Sequence, residues 1–434
     1  MFSFPKDFLW GASLSSYQVE GGNFHADWWR WEQRPGRIRE RVSAEVAADH
    51  FHRYEADFEL ARRLGHSAHL FSIEWSRVQP DEGVTDYEAL AHDAAVVEAL
   101  RARGLEPVCV LHHVTCPLWF AERYGWHHRQ AAAIFERYIH AVISEIGGGC
   151  RWWIPIAETT RAVQEGYLNG TWPPGRRNPW LAYRAWRQQL LAHAKAYRVI
   201  HALVPNAMVG TALHARSLAP TNLNSSWDVR AARREQVRFN HWIPRALAQG
   251  CRPYSWKERE ELRATLDFLG ITYLGTEMVQ FAPAKPHQLF VRTSQPEPLS
   301  NSSIARSAQG LREVLAELSQ YGLPLLITGN GVASPDDSAR CRYLLDHVAT
   351  VAECIHAGAD IRGFFYQSFL DGFEWTHGYS RQYGLIHVDR TTLVRTPNPS
   401  AYLYKEIGET GTVRPGTVSK FCPGWHNASE GRGK

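Results

Sequence analysis

Short apolar runs alternate with longer segments of helical period along almost the whole chain. The short runs are rich in β-branched and aromatic residues, and the longer segments repeat apolar positions three and four residues apart. This alternation is typical of a parallel sheet whose strands are joined by helices. Eight runs have strand character: 8–13, 69–74, 108–113, 152–158, 208–213, 267–273, 324–329 and 362–367. Eight such strands predict a single closed (β/α)8 TIM barrel of the α/β class.

The segments between these runs carry the expected signs of crossover helices. Residues 44–64 and 87–103 have helical spacing, and a glycine follows each of them as a stop signal. A third helix is predicted over 339–356, where Asp336 supplies a capping oxygen at its start.

No repeat, low-complexity block or linker divides the chain, so one catalytic barrel is expected over residues 1–410. Residues 411–434 are rich in Gly, Pro, Ser and Thr, which predicts a tail that wraps the barrel or frays. A length of 434 residues is compatible with one large barrel domain.

The composition of the chain disfavours a nucleic acid or a membrane as its partner. Forty-eight basic residues are interspersed with 44 acidic ones, so no basic surface is expected to follow a nucleic acid backbone. No stretch reaches membrane-spanning length, and the first residues lack a secretory pattern. The seven cysteines show no C-x-x-C pair or metal-ligand spacing. We therefore expect a cytoplasmic protein with a small-molecule substrate, without a metal or a cofactor.

The candidate chemistry lies where strands end. In a barrel of this kind, side chains from different strands converge at their carboxyl ends, and catalytic residues are found there. The polar groups at these ends are Gln18, Glu74, Arg77, His113, Glu158, Tyr273, Glu277, Gln367 and Glu374, with Gly329 at the end of the seventh run.

Several long motifs at these ends occur in a specific order. Residues 4–21 contain FPKDFLWGAS and SYQVEG, and residues 71–77 read FSIEWSR. Near the C-terminus, 371–375 read DGFEW, 378–385 read GYSRQYGL and 395–402 read RTPNPSAY. Together they resemble glycoside hydrolase family 1, the retaining β-glucosidase family, over nearly the whole chain.

The resemblance implies a pair of catalytic glutamates. In that family, one Glu is the acid/base in a Thr-Leu/Phe-Asn-Glu-Pro motif, and the other is the nucleophile in Thr-Glu-Asn-Gly. Retaining hydrolysis requires the two carboxyls about 5 to 5.5 Å apart. Here 155–159 read PIAET, which keeps Glu158, but 327–331 read ITGNG and place Gly329 at the nucleophile position. Ordinary retaining hydrolysis is therefore not expected.

A Gly at this position is also a familiar laboratory knockout, but the surrounding positions depart from the family as well. The remaining departures are Ala157, Thr159, Leu274, Val114 and Gln367. Six coherent changes favour a site with a different task over a single engineered substitution.

Other positions keep the family pattern. By resemblance, Gln18, His113, Glu374 and Trp375 bind the nonreducing sugar, and Arg77 holds the nucleophile region. Tyr273, Glu277 and Gln367 complete the expected substrate-binding set. Arg77 has an equally good structural explanation, because Glu74 could pair with it as a buried ion pair.

Glu158 is the predicted catalytic residue. A pocket of Trp119, Trp152, Trp153 and Phe365 is expected to desolvate its carboxyl and raise its pKa toward neutrality. The first hypothesis is proton transfer on a polyoxygenated natural product, for example a dehydratase or lyase reaction.

Three alternatives remain open from the residues alone. The chain could be a β-glycosidase that works by an inverting or substrate-assisted route. It could be a nucleophile knockout used for glycoside synthesis. It could also be a binding protein without turnover, since one fold supports unrelated functions.

Overall fold

Eight parallel strands form a closed ring in which each strand pairs with its sequence neighbours and the eighth pairs with the first. The computed structural model describes residues 2–251, 260–294 and 300–425. The strands are β1 Leu9–Ser13, β2 Ala68–Ser72, β3 Glu106–Val110, β4 Trp152–Ile154, β5 Met208–His214, β6 Phe268–Tyr273, β7 Leu325–Asn330 and β8 Ile361–Gln367. The predicted (β/α)8 barrel is confirmed.

Helices cover the outside of the ring. The principal crossover helices are His50–Arg63, Tyr87–Ala102, Ala131–Ile146, Pro179–Leu203, Ser226–Gln236, Trp242–Gln249, Asn301–Ser319, Asp337–His356 and Pro399–Thr410. Shorter helices occur at Ser16–Val19, Asp27–Glu32, Trp75–Val78, Leu118–Arg123, Thr159–Val163 and Pro415–Phe421. Asp336 caps its helix as expected, since its side chain accepts from the Ser338 N–H.

The strands alternate between two apolar environments. Leu70, Val110 and Phe365 belong to the cluster inside the ring, whereas His69 points outward and contacts Phe58 of the first crossover helix. This period of two is the expected consequence of the strand geometry. The barrel interior is therefore filled with side chains, and open space is left at its mouth.

The first crossover helix is shorter than predicted. It begins at His50 and not at residue 44, because Ala47 and Asp49 have φ of 49° and 54°. Such left-handed backbone does not continue an α-helix. The prediction for 44–49 was wrong, since apolar spacing does not report the sign of φ.

Three further strands extend the loops after β5 and β6. Ser217–Pro220, Thr276–Phe281 and Val291–Thr293 form a small sheet outside the ring. The remaining short strands pair Phe2–Ser3 with Thr412–Val413 and Ile386–Val388 with Arg395–Pro397.

The division of the chain at residue 410 stays a prediction. The part of the tail that the structure describes begins with the strand Thr412–Val413 and continues as the helix Pro415–Phe421. In the three described ranges, no helix has the length and the apolar character needed to cross a lipid bilayer.

A buried ion pair joins the first crossover helix to the last part of the chain. Arg395 donates to both carboxylate oxygens of Asp57 at 2.8 and 2.9 Å and to the carbonyl oxygen of Ala48 at 2.7 Å. Burial alone would raise the pKa of Asp57, but hydrogen bonds from His50 and Arg395 outweigh it and leave the pKa lowered. Removing one partner would leave a buried charge unpaired.

We expect Arg395→Met to lower the free energy of unfolding by about 3 to 5 kcal/mol near neutral pH. The loss should shrink as pH falls through the lowered pKa of Asp57, because protonation removes the unpaired charge. Urea unfolding of wild type and variant at several pH values measures this loss of stability. The exposed Arg362 pairs with Asp360, so Arg362→Met serves as the control and should change stability by less than about 0.5 kcal/mol. Equal effects of the two substitutions would contradict this account.

Candidate active site

A cavity of about 320 Å³ opens at the carboxyl ends of the strands. A smaller space of about 60 Å³ continues from it toward the barrel interior. Five residues line both spaces: Gln18, His113, Glu158, Gln367 and Glu374. The larger size is suitable for a small organic ligand.

Glu158 lies just beyond β4 and is 4% exposed. Arg161 donates from Nη1 to Glu158 Oε2 at 3.0 Å, and His214 Nδ1 lies 3.4 Å from Oε1. Arg161 is three residues later, in the helical turn Thr159–Val163, so the two side chains share one face. His214 is the last residue of β5, the neighbouring strand. The carboxylate is thus held between two nitrogen groups.

This environment leaves Glu158 ionised. Burial raises the pKa of its carboxyl, but the charge of Arg161 and the hydrogen bond from His214 outweigh burial, so the pKa lies below its ordinary value. The prediction of a raised pKa was therefore wrong.

The aromatic residues expected around Glu158 lie elsewhere. Trp152 and Phe365 fill the barrel interior, and the Trp119 side chain donates to the carbonyl oxygen of Gln79. Trp153 is fully buried in the outer core. The aromatic side chains that line the cavity are Trp172, Trp375 and Tyr383. Strand position alone did not distinguish inward from outward faces at these sites.

The pKa of the Glu374 carboxyl is raised, in contrast to that of Glu158. It follows β8 and is 8% exposed. Burial raises the pKa of its carboxyl to about 8, and the more distant Arg161 only partly opposes this. Near neutral pH Glu158 is therefore ionised, whereas Glu374 keeps its proton.

The residues expected to bind a sugar ring lie together. His113 Nδ1 lies 2.7 Å from Ser15 Oγ, and its ring meets Trp375 edge to face with centroids 5.7 Å apart. Gln18 donates from Nε2 to the carbonyl oxygen of Phe373 at 3.0 Å, next to Glu374. Burial lowers the pKa of His113, so its ring is neutral at neutral pH. This side of the cavity offers hydrogen-bonding groups beside an aromatic surface.

Gly329 lies where Gln367 takes up space. A Cβ atom built on Gly329 would stand 2.7 Å from Gln367 Oε1 and 3.1 Å from Thr272 Cγ2. The first distance is below ordinary contact, so any side chain at 329 requires Gln367 to move.

Two predicted site residues are not brought to this cavity. Arg77 forms an ion pair with Glu20 at 2.7 Å and donates to Asn23 Oδ1 at 2.7 Å. It does not pair with Glu74, which accepts hydrogen bonds from Ser76 and Thr115 instead. Arg77 is therefore part of the scaffold.

Tyr273 is fully buried, and its hydroxyl donates to the carbonyl oxygen of Ser307 at 2.9 Å. It points away from the cavity because it lies on the outward face of β6. Glu277 does line the cavity, and its carboxylate pairs with Arg216 at 3.0 Å.

Sequence reasoning missed Arg161, His214 and Arg216. The spacing of Arg161 from Glu158 could have indicated a pair within one helical turn. His214 lies one residue beyond the predicted end of the fifth run, and Arg216 lies two residues further. A strand boundary that was one residue too short removed His214 from consideration, and Arg216 lies in the loop beyond the observed strand.

We expect the protonated state of Glu374 to make stability depend on pH. The unfolded carboxyl ionises near its ordinary pKa, whereas the folded one keeps its proton to about pH 8. The contribution of the protonated Glu374 to the free energy of unfolding is therefore complete at acid pH and is lost as pH rises through about 8. Urea unfolding of Glu374→Gln between pH 5 and 9 should show a flatter profile than wild type, by up to about 1.4 kcal/mol per pH unit.

The exposed Glu88 offers a matched control. Glu88→Gln should keep the wild-type profile over the same range. An unchanged slope in Glu374→Gln would refute the raised pKa.

Known proteins share this architecture over almost the whole chain. Residues 2–412 match the model of Glycosyl hydrolase family 1. Beta-glucosidase A of Thermotoga maritima is 29% identical, with 93% of this chain and 97% of that protein covered. Beta-glucosidase of Agrobacterium sp. is 30% identical, with 99% and 98% covered.

Solved structures agree with these sequence matches. The beta-glycosidase from Pyrococcus horikoshii superposes with a TM-score of 0.89 at 31% identity, over 97% of this chain and 98% of that one. The beta-glucosidase from Thermotoga maritima in complex with glucoimidazole gives 0.87 at 27% identity, over 95% and 100%. The matched residues include all eight barrel strands and every loop that contributes to the cavity. The chain therefore belongs to glycosyl hydrolase family 1.

Proposed function

We propose that this chain is a family 1 enzyme that binds the nonreducing sugar of a small-molecule glycoside and acts on it without a covalent intermediate at position 329. Glu158 is the reactive carboxylate in this proposal. Gln18, His113, Glu374 and Trp375 bind the ring.

The proposal rests on the environment of Gly329. Glycine has no group that can attack an anomeric carbon, and Gln367 Oε1 occupies the space where a side chain would begin. Thr272 and Thr328 complete this wall with hydroxyl groups 3.3 Å apart. A route through a glycosyl ester at this position is therefore closed.

The ring-binding side of the cavity supports a sugar-like ligand. Its hydrogen-bonding groups come from the ends of β1, β3 and β8, and Trp375 adds an aromatic surface. Several relatives are described as beta-glucosidases, and one of them was solved with glucoimidazole. These likenesses favour a glycoside as the substrate class.

Glu158 can accept a proton in the ligand-free protein, because it is in its ionised form there. Its carboxylate is ionised because Arg161 and His214 stabilise the negative charge. Protonation of a leaving group would have to come from another group, and Glu374 holds a proton at neutral pH. In this scheme one residue acts as the base and another as the acid. It differs from a mechanism in which a single residue takes both roles in turn.

We expect Gln367→Ala to open the space beside Gly329 to a small anion. With 2,4-dinitrophenyl β-D-glucoside as donor, wild type should show no azide-dependent turnover, because Gln367 fills the space. Gln367→Ala should gain azide-dependent release of dinitrophenol and yield the α-glucosyl azide, identified by proton NMR.

The exposed Gln320→Ala variant controls for loss of a Gln side chain elsewhere and should behave as wild type. Retaining hydrolysis by wild type at rates usual for β-glucosidases would overturn the proposal. Binding of the glucoside without any reaction, in every variant, would favour a binding protein.

A second candidate function is elimination of water from a hydroxylated ring. The specific observation is the separation of the two carboxyl pKa values within one cavity, lowered for Glu158 and about 8 for Glu374. Such a separation assigns a base and an acid. Glu158 would take a proton from a carbon next to a carbonyl or carboxylate group, and Glu374 would give its proton to the departing hydroxyl.

Phenyl β-D-glucuronide tests this candidate, since loss of water from its ring gives an unsaturated acid that absorbs in the ultraviolet. Wild type should form this product, whereas Glu158→Gln and Glu374→Gln should each slow its formation about 100-fold or more, as expected for general acid or base groups. A lack of product in wild type would remove the candidate.

A further inference from the structure

Arg161 has hydrogen-bonding capacity that the protein does not use. Its guanidinium makes one hydrogen bond among the described residues, from Nη1 to Glu158 Oε2. The guanidinium also lies 5.1 Å from the ring centroid of Trp172, and 23% of the side chain is exposed. An Arg has five N–H donors, so several remain available at the cavity wall.

Arg216 provides an independent sign of a missing acceptor. The residue is 5% exposed and pairs through Nη1 with Glu277 at 3.0 Å, while its guanidinium covers the ring of Phe239 at 3.8 Å. Its Nε is buried and has no hydrogen-bond partner among the described residues. A buried guanidinium with an unsatisfied donor is costly, and because Arg216 lines the cavity, an acceptor bound there would offset that cost.

The carboxylates of the cavity wall satisfy only part of these donors. Glu158 accepts one N–H of Arg161 and Glu277 accepts one N–H of Arg216, while Glu165 is held by Asn169 and Thr171 at 3.0 and 2.5 Å. Glu374 is protonated near neutral pH. Position 329 adds no negative charge, because it is Gly.

The two guanidiniums flank the same end of the cavity. Arg161 follows β4 and Arg216 follows β5, and these strands are adjacent, so both residues line the cavity near His214. Burial lowers the pKa of Arg216, and repulsion from the positive charge of Arg161 adds to this effect, against the attraction of Glu277. An anion placed near both would relieve this repulsion.

We propose that the ligand of this cavity bears an anionic group, either a carboxylate or a sulfate or phosphate ester, on the side of the ring that faces Glu158, and that Arg161 and Arg216 bind it. This inference rests on the proposed function, in which Gln18, His113 and Glu374 hold the ring. It adds a requirement for charge on the rest of the substrate. Arg is well suited to that task because its N–H groups match the geometry of such anions.

A matched pair of ligands tests the inference. Titration calorimetry at low salt compares 2-carboxyphenyl β-D-glucoside with the neutral 2-carbamoylphenyl β-D-glucoside. We expect wild type to bind the carboxylate about tenfold more tightly, since a charge-assisted hydrogen bond is stronger than a neutral one. The amide ligand reports whether the ring site is intact.

Substitutions at the two arginines identify the source of the preference. Arg216→Gln should reduce the preference to less than about threefold while the affinity for the amide stays within about twofold of wild type. Arg161→Lys keeps the charge beside Glu158 and should retain part of the preference. Arg362→Gln, at the opposite end of the barrel, should bind both ligands as wild type does.

The outcomes separate this inference from the proposed function. Equal affinity for the two glucosides, or an undiminished preference in Arg216→Gln, would overturn the inference and leave ring binding in place. If neither glucoside binds, the proposed function fails, and salicylate alone is then titrated. Salicylate binding that disappears in Arg216→Gln would support the anion site, and its absence in wild type would overturn the inference as well.

Discussion

Closure of the parallel ring is the constraint on which the rest of this structure depends. Each strand must place alternate side chains inside the ring, and Trp152, Phe268 and Phe365 fill that interior. Open space is left where the strands end. Because adjacent strands end side by side, residues that are far apart in the sequence, such as Gln18 and Glu374, line the same cavity.

Electrostatics then decides what this cavity can do. Arg161 and His214 lie beside Glu158 and hold it ionised, whereas for Glu374 the cost of burial outweighs the opposing charges of Arg161 and Arg381. Two chemically identical side chains in one cavity therefore have opposite protonation states at neutral pH. The difference arises from the groups that contact Glu158, since burial alone raises both pKa values.

The cavity divides into a side that keeps the family pattern and a side that does not. Gln18, His113, Glu374 and Trp375 lie together with polar groups and an aromatic surface, which suits a hydroxylated ring. On the other side, Gln367 closes the space beside Gly329, and the charged groups include the pairs Arg161–Glu158 and Arg216–Glu277. A shared fold is thus compatible with recognition of a familiar ring and a different treatment of what is attached to it.

The sequence by itself determined the barrel, because the short apolar runs and the intervening helical periods are local properties that each segment carries. It also indicated Glu158 and the absence of a carboxyl at Gly329, since both follow from a motif. Only the tertiary structure decided that Arg77 pairs with Glu20, that Tyr273 points outward, and that Arg161 lowers the pKa of Glu158. These outcomes depend on which side chains meet in space and how deeply they are buried, and no spacing along the chain reports either quantity.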